Sequence, residues 1–186
     1  MEYRLIPKTL DLKPNQNVAL ISVDSLPERD AYSLVVSFLN EVGTYGWLLL
    51  VTNNPQLWHS ELEDKDIMHR TIITHLRRLR SVKSTSLDRV FVIPTPSKLE
   101  SYLIEAYYLL PENGKVEVLL PFEEQLVDKY KKTLMEQSSR DSLPLLLKLG
   151  FVNPYVVLKE VGKESLAVAV GTKKEPASDF DEDIAY

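Results

Sequence analysis

Apolar residues fall in short runs that alternate with segments of helical period. Residues 17–22 (NVALIS) are mostly apolar on successive positions and follow Lys13-Pro14-Asn15-Gln16, where Pro and Asn supply turn chemistry. An unbroken apolar run predicts a strand buried on both faces, as in a parallel sheet. Ser25-Leu26-Pro27-Glu28 has the spacing of a capping box, with Pro27 suited to a first helical turn. Ala31, Leu34, Val35, Phe38, Leu39 and Val42 then share one helical face, and Gly43 ends the segment. A second strand is predicted at 47–52, with a turn at Asn53-Asn54-Pro55. Residues 56–81 read as a longer polar helix carrying Leu57, Leu62, Ile67, Ile72, Ile73, in part Leu76, and Leu79.

The alternation continues. A strand at 89–93 is followed by a helix at 98–110 behind a second capping box, Ser97 and Glu100. Pro111-Glu112-Asn113-Gly114 turns into a strand at 115–120, and a helix is predicted from about 122 to 137. A short helix around 143–149 ends at Gly150. Strands at 155–161 and 165–171, joined at Gly162-Lys163-Glu164, predict an antiparallel hairpin. The order implies an α/β fold: a Rossmann-like, doubly wound, mostly parallel sheet with right-handed crossovers and a C-terminal antiparallel β-hairpin. Residues 1–173 form the expected domain, and 174–186, acidic and holding Pro176, the expected flexible tail.

Three stretches carry a family resemblance. Leu10-Asp11-Leu12-Lys13-Pro14-Asn15-Gln16-Asn17-Val18-Ala19-Leu20-Ile21 resembles the lead-in to the first strand of class I S-adenosylmethionine-dependent methyltransferases. Residues 87–93, then a helix, then 110–116, resemble the family's fourth and fifth strands, and the corrin-biosynthesis branch is the most similar there. Lys148-Leu149-Gly150-Phe151 with the terminal hairpin resembles the family's ending. The resemblance implies a cofactor site at the carboxyl ends of the strands, built on a glycine-rich turn after the first strand and a carboxylate after the second that meets the cofactor ribose.

The chain departs from that pattern. Its first turn reads Ser22-Val23-Asp24-Ser25-Leu26-Pro27, without glycine; the second strand ends Val51-Thr52-Asn53-Asn54, without an acid; Pro94-Thr95-Pro96 follows the next. A third strand is not evident between Arg80 and Leu87. The expectation is therefore a non-catalytic methyltransferase-like domain without a cofactor, acting as a scaffold or interaction subunit. The alternative is an S-adenosylmethionine-dependent methyltransferase with an atypical cofactor turn. Any ligand would meet the crevice at Asp24, Ser25, Asn53 and Thr95, because open α/β sheets bind ligands outside the carboxyl ends of their strands. Trp58 is placed to flank it. Ser25 lacks a nucleophile elbow and reads more simply as a helix cap.

Composition narrows the rest. The 186 residues suit one domain, and a net charge of −5 argues against wholesale nucleic-acid binding. A local patch at Arg77, Arg78 and Arg80 is the candidate surface for a protein partner, or for RNA. No cysteine is present, which removes disulfides, thiolate metal sites and a cysteine nucleophile. His59, His69 and His75 lack the i,i+4 spacing of a metal grip, so no metal is expected. Apolar runs such as 47–51 fall far short of the roughly 20 residues a membrane span requires. The N-terminus lacks a signal-peptide pattern, and the expected location is cytoplasmic. Nothing in the sequence sets an oligomeric state.

Overall fold

Seven strands form one sheet in the computed structural model, which describes residues 1–63, 70–76, 87–95, 97–120 and 140–174. They are β1 (Asn17–Ile21), β2 (Trp47–Thr52), β3 (Thr71–His75), β4 (Arg89–Val92), β5 (Lys115–Leu120), β6 (Phe151–Val161) and β7 (Glu164–Lys173). Their order in the sheet is β3-β2-β1-β4-β5-β7-β6. The first five pair in parallel; β7 runs antiparallel to both β5 and β6. The helices are α1 (Ile6–Thr9), α2 (Glu28–Val42), α3 (Pro55–Leu62), α4 (Leu99–Leu109) and α5 (140–148).

The unbroken apolar strands arise because both sheet faces are covered. Val18 and Leu20 of β1 pack with Leu34, Val35 and Phe38 of α2, while Ala19 and Ile21 enter the opposite core with Tyr102, Leu103 and Ala106 of α4. Each fully buried Val, Leu, Ile or Phe side chain contributes about 1.5–3 kcal/mol. Such a strand therefore has no face it can turn to water.

The doubly wound expectation holds, and four local expectations are corrected. Residues 71–75, expected inside a long helix, form β3 at the sheet edge, so the third strand is present and lies earlier than the gap between Arg80 and Leu87. Thr71, Ile72, Ile73 and Thr74 are β-branched, and pairing along Leu48–Thr52 of β2 outweighs their weak helical period. Helix α3 stops at Leu62 and starts on Asn54, whose side chain accepts the Leu57 N–H at 3.3 Å. Neither capping box forms. Pro27 and Lys98 hold the N-cap positions of α2 and α4 without side-chain caps. The terminal hairpin is longer than expected, with β6 beginning at Phe151 and a register shift between Val152 and Tyr155. The helix expected at 122–137, the Arg77–Arg80 patch and the tail from 175 lie outside the described residues.

At the amino ends of β4 and β5, Arg89 meets Glu117 in a forked ion pair at 2.6 and 2.8 Å, with both side chains largely buried. Arg89 also donates to the Leu10 carbonyl at 2.9 Å and lies over the Phe91 ring. The pair thus pins the N-terminal segment beneath the sheet, at the end opposite the crevice.

Candidate functional site

Beyond Ile21 the chain reverses direction. Ser22 takes a left-handed conformation, φ 68° and ψ 35°, and its N–H donates to the Val51 carbonyl at 3.1 Å. Residues Val23–Ser25 then make one 3₁₀ turn. The Ser22 carbonyl accepts both the Ser25 N–H (3.1 Å) and the Ser25 hydroxyl (2.9 Å). A non-glycine residue in this region costs about 1–2 kcal/mol. Its surroundings hold it there, which is how strain accumulates at ligand sites. The lack of glycine therefore does not remove the positive φ: Ser22 provides it. Ser25, expected as a cap or crevice residue, uses its hydroxyl to close the turn.

Asp24 projects from that turn to the end of β2. The Thr52 hydroxyl lies within 2.7 and 2.8 Å of its two oxygens, the Asn53 N–H donates to Oδ2 at 2.7 Å, and the Trp58 indole N–H donates to Oδ1 at 3.3 Å. The end of β2 thus has a carboxylate after all, supplied in space by the turn after β1. Thr52 and Trp58 are buried, whereas Asp24 and Asn53 are exposed. The acid is fixed from below and open above.

These groups border a shallow, half-open crevice lined by Ile21, Ser22, Asp24, Val51, Thr52 and Asn53, with Leu76 and Tyr102 as its apolar walls. It is a surface groove continuous with solvent and not an enclosed cavity. Of the expected residues, Asp24 and Asn53 come together here. Thr95 lies past the end of β4 and is not among the lining residues. Its carbonyl accepts the N–H groups of Lys98 and Leu99, and its buried Oγ1 has no partner among the described residues. Sequence reasoning missed Ser22, Thr52, Leu76 and Tyr102. Leu76 was read as an apolar position of a long helix, and Tyr102 as a core position, so neither was placed at the crevice. Among the described residues no three His, Asp or Glu side chains converge as a metal site would require. No helix among them is long and apolar enough to cross a membrane.

No protein-family model and no curated protein matches the sequence. Solved structures do match. The S-adenosylmethionine-dependent O-methyltransferase of Thermotoga maritima superposes with a TM-score of 0.60 at 15% identity, over 92% of this chain and 64% of its own. Precorrin-6y C5,15-methyltransferase of Geobacter metallireducens gives 0.57 at 16% identity, over 92% and 87%. Cofactor-bound Rv0187 from MTB gives 0.58 at 12% identity, over 94% and 80%. The fold is that of the class I methyltransferases. This methyltransferase-like chain spans less than two thirds of the Thermotoga enzyme.

The expectation of no cofactor is corrected by these neighbours. The Thermotoga enzyme is S-adenosylmethionine-dependent, and Rv0187 was solved cofactor-bound. The residues of the methyltransferase-like domain fit such a group. Ser22 keeps the positive φ of the turn, Asp24 presents an acceptor at the β2 end, and the Thr95 hydroxyl is without a partner among the described residues near the end of β4.

Proposed function

We propose that this methyltransferase-like domain binds S-adenosylmethionine across the carboxyl ends of β1 and β2. The observation that carries the reading is the Asp24 carboxylate held at the end of β2. In the family the chain resembles, a carboxylate at that place meets the cofactor ribose, and Asp24 reaches it from a different strand. A carboxylate offers about four lone-pair sites, and three donors hold this one, so it retains capacity for a ligand hydroxyl. Ser22 forms the turn at one side of the crevice, and Leu76 and Tyr102 give it apolar walls. Bound there, the cofactor supplies an electrophilic methyl group.

Calorimetry tests the reading. Titration with S-adenosylmethionine is expected to give one saturable site with a dissociation constant in the micromolar range, and the absence of heat up to millimolar ligand sinks it.

A second reading concerns the fate of the methyl group. Asp24 is already engaged by Thr52, Asn53 and Trp58, and of the other lining side chains among the described residues Tyr102 alone ionises. That favours a domain that holds the cofactor without a base of its own, as an interaction subunit. Radiolabelled cofactor incubated with native-host extract separates the two: transfer of label supports an enzyme, and retained label the subunit. In that second role the charges of Arg77, Arg78 and Arg80 and of the acidic tail would dock a protein partner. Charge reversal of the three arginines is expected to reduce its recovery.

A further inference from the structure

One carboxylate organises the turn between β2 and α3. The Thr52 hydroxyl donates to Asp24 and accepts the Asn54 N–H at 3.0 Å. The Asn54 side chain in turn accepts the Leu57 N–H at 3.3 Å and so caps α3. From within α3, the Trp58 indole N–H reaches back to Asp24 Oδ1 at 3.3 Å. The Asn53 N–H completes the set on Oδ2 at 2.7 Å. Helix α3 has only 8 residues. A helix that short is marginal without tertiary contacts, so its start depends on these bonds and on the burial of Trp58 and Leu62. The same bonds aim the acid that borders the crevice.

We infer that Thr52 and Trp58 are positioning residues: they aim the Asp24 carboxylate at a ligand in the crevice, and through the same bonds a bound ligand steadies α3. The inference rests on the proposed cofactor reading and adds a coupling to it. When the start of α3 opens, the indole donor leaves and the carboxylate is free to turn. Its hold on a ligand hydroxyl then weakens. Linkage makes the effect reciprocal: the factor that opening of α3 costs in affinity is the factor by which ligand suppresses that opening. One hydrogen bond of ordinary strength sets it at about 3- to 10-fold. Gln56, Leu57, His59, Ser60 and Glu61 form the exposed side of α3. Occupancy of the crevice is thereby carried to the outside of the domain.

The test is hydrogen exchange on the full chain with S-adenosylmethionine as the probe and calorimetry to set its occupancy. At saturation the α3 amides are expected to exchange about 3- to 10-fold more slowly. The Leu10 and Leu12 amides, bonded to Ile6 and Pro7 carbonyls beneath the sheet, should hold their rates. Trp58→Phe and Thr52→Val should each weaken binding by about 3- to 10-fold and shrink the slowing at α3. Thr52→Ser keeps the hydroxyl and should restore both. A merely structural role would speed α3 exchange in the variants but leave affinity unmoved, and that result overturns the inference. Binding by the native chain with α3 exchange unchanged also overturns it, while leaving the cofactor reading intact. If the native chain binds no S-adenosylmethionine, the cofactor reading fails and this inference falls with it. Should a variant not fold, exchange in the native chain decides alone.

Discussion

Removing Asp24 should loosen the floor of the crevice by an amount the structure sets. In Asp24→Ala the Thr52 hydroxyl and the Trp58 indole N–H both lose their acceptor, and both belong to residues at most 4% exposed. An unsatisfied buried donor costs about 1–3 kcal/mol. Water reaches the open side of the carboxylate's place, so each loss should sit near the lower bound, for a total of about 2 kcal/mol. For a chain of this length that lowers Tm by about 4–8 °C. Urea unfolding followed by tryptophan fluorescence would read the change as a shift in midpoint with an unaltered slope. The cycle with Trp58→Phe isolates one bond: the double variant should be more stable than the sum of the single losses predicts, by about 0.5–1.5 kcal/mol. A loss below about 0.5 kcal/mol for Asp24→Ala, or strict additivity with Trp58→Phe, would refute the reasoning.

Three further outcomes are expected. Arg89→Met leaves the Glu117 carboxylate, 9% exposed, without its partner, and should cost about 3–5 kcal/mol in chemical denaturation. Adding Glu117→Met should restore most of that, and a double variant as weak as Arg89→Met would contradict the account. Ser22→Gly relieves a left-handed non-glycine residue but adds unfolded-chain entropy, so thermal unfolding should show a change between none and about 1 kcal/mol of stabilisation. Asp11 has its carboxyl held below the usual range by the adjacent Lys13 ammonium. Its contribution is present above the ordinary carboxylate value and is lost as pH falls through the lowered one. Both side chains are exposed, so the pH-dependence of stability in Asp11→Asn should match that of the native chain between pH 3 and pH 5 within error.

The central strands were legible because two-sided burial writes itself into sequence as consecutive apolar residues: Val18 to Ile21 and Leu48 to Val51 need no tertiary knowledge to recognise. The terminal hairpin was legible through Gly162, which takes positive φ at the turn. The edge strand β3 was not, because it carries Arg70 and His75 at its margins and half-exposed residues along its length. Its one local signal, Thr71-Ile72-Ile73-Thr74, was outvoted by the polar period around it. The first capping box failed for a different reason: the Ser25 hydroxyl went to the Ser22 carbonyl. The site was half legible. Asp24 and Asn53 could be named from their positions after strands, but two facts that give the crevice its character are non-local. One is that a serine is held at positive φ; the other is that a carboxylate from one strand serves the end of the next.

The position of β7 constrains the order in which the domain is made. It is the last of the described strands in sequence, yet it lies between β5 and β6. On the ribosome, β1, β2, β4 and β5 can pair as each emerges, because every new strand finds an earlier neighbour. Strand β6 cannot, since the strand it pairs with is still unsynthesised. Until residues 164–173 have left the exit tunnel, the nascent chain holds β5 as an open edge, with the backbone groups of Val116, Glu117 and Val118 free on one side. Translation of the final strand therefore closes two gaps at once, and ribosome stalling just before Glu164 would strand β6 and leave the growing sheet open to pairing with a neighbouring chain.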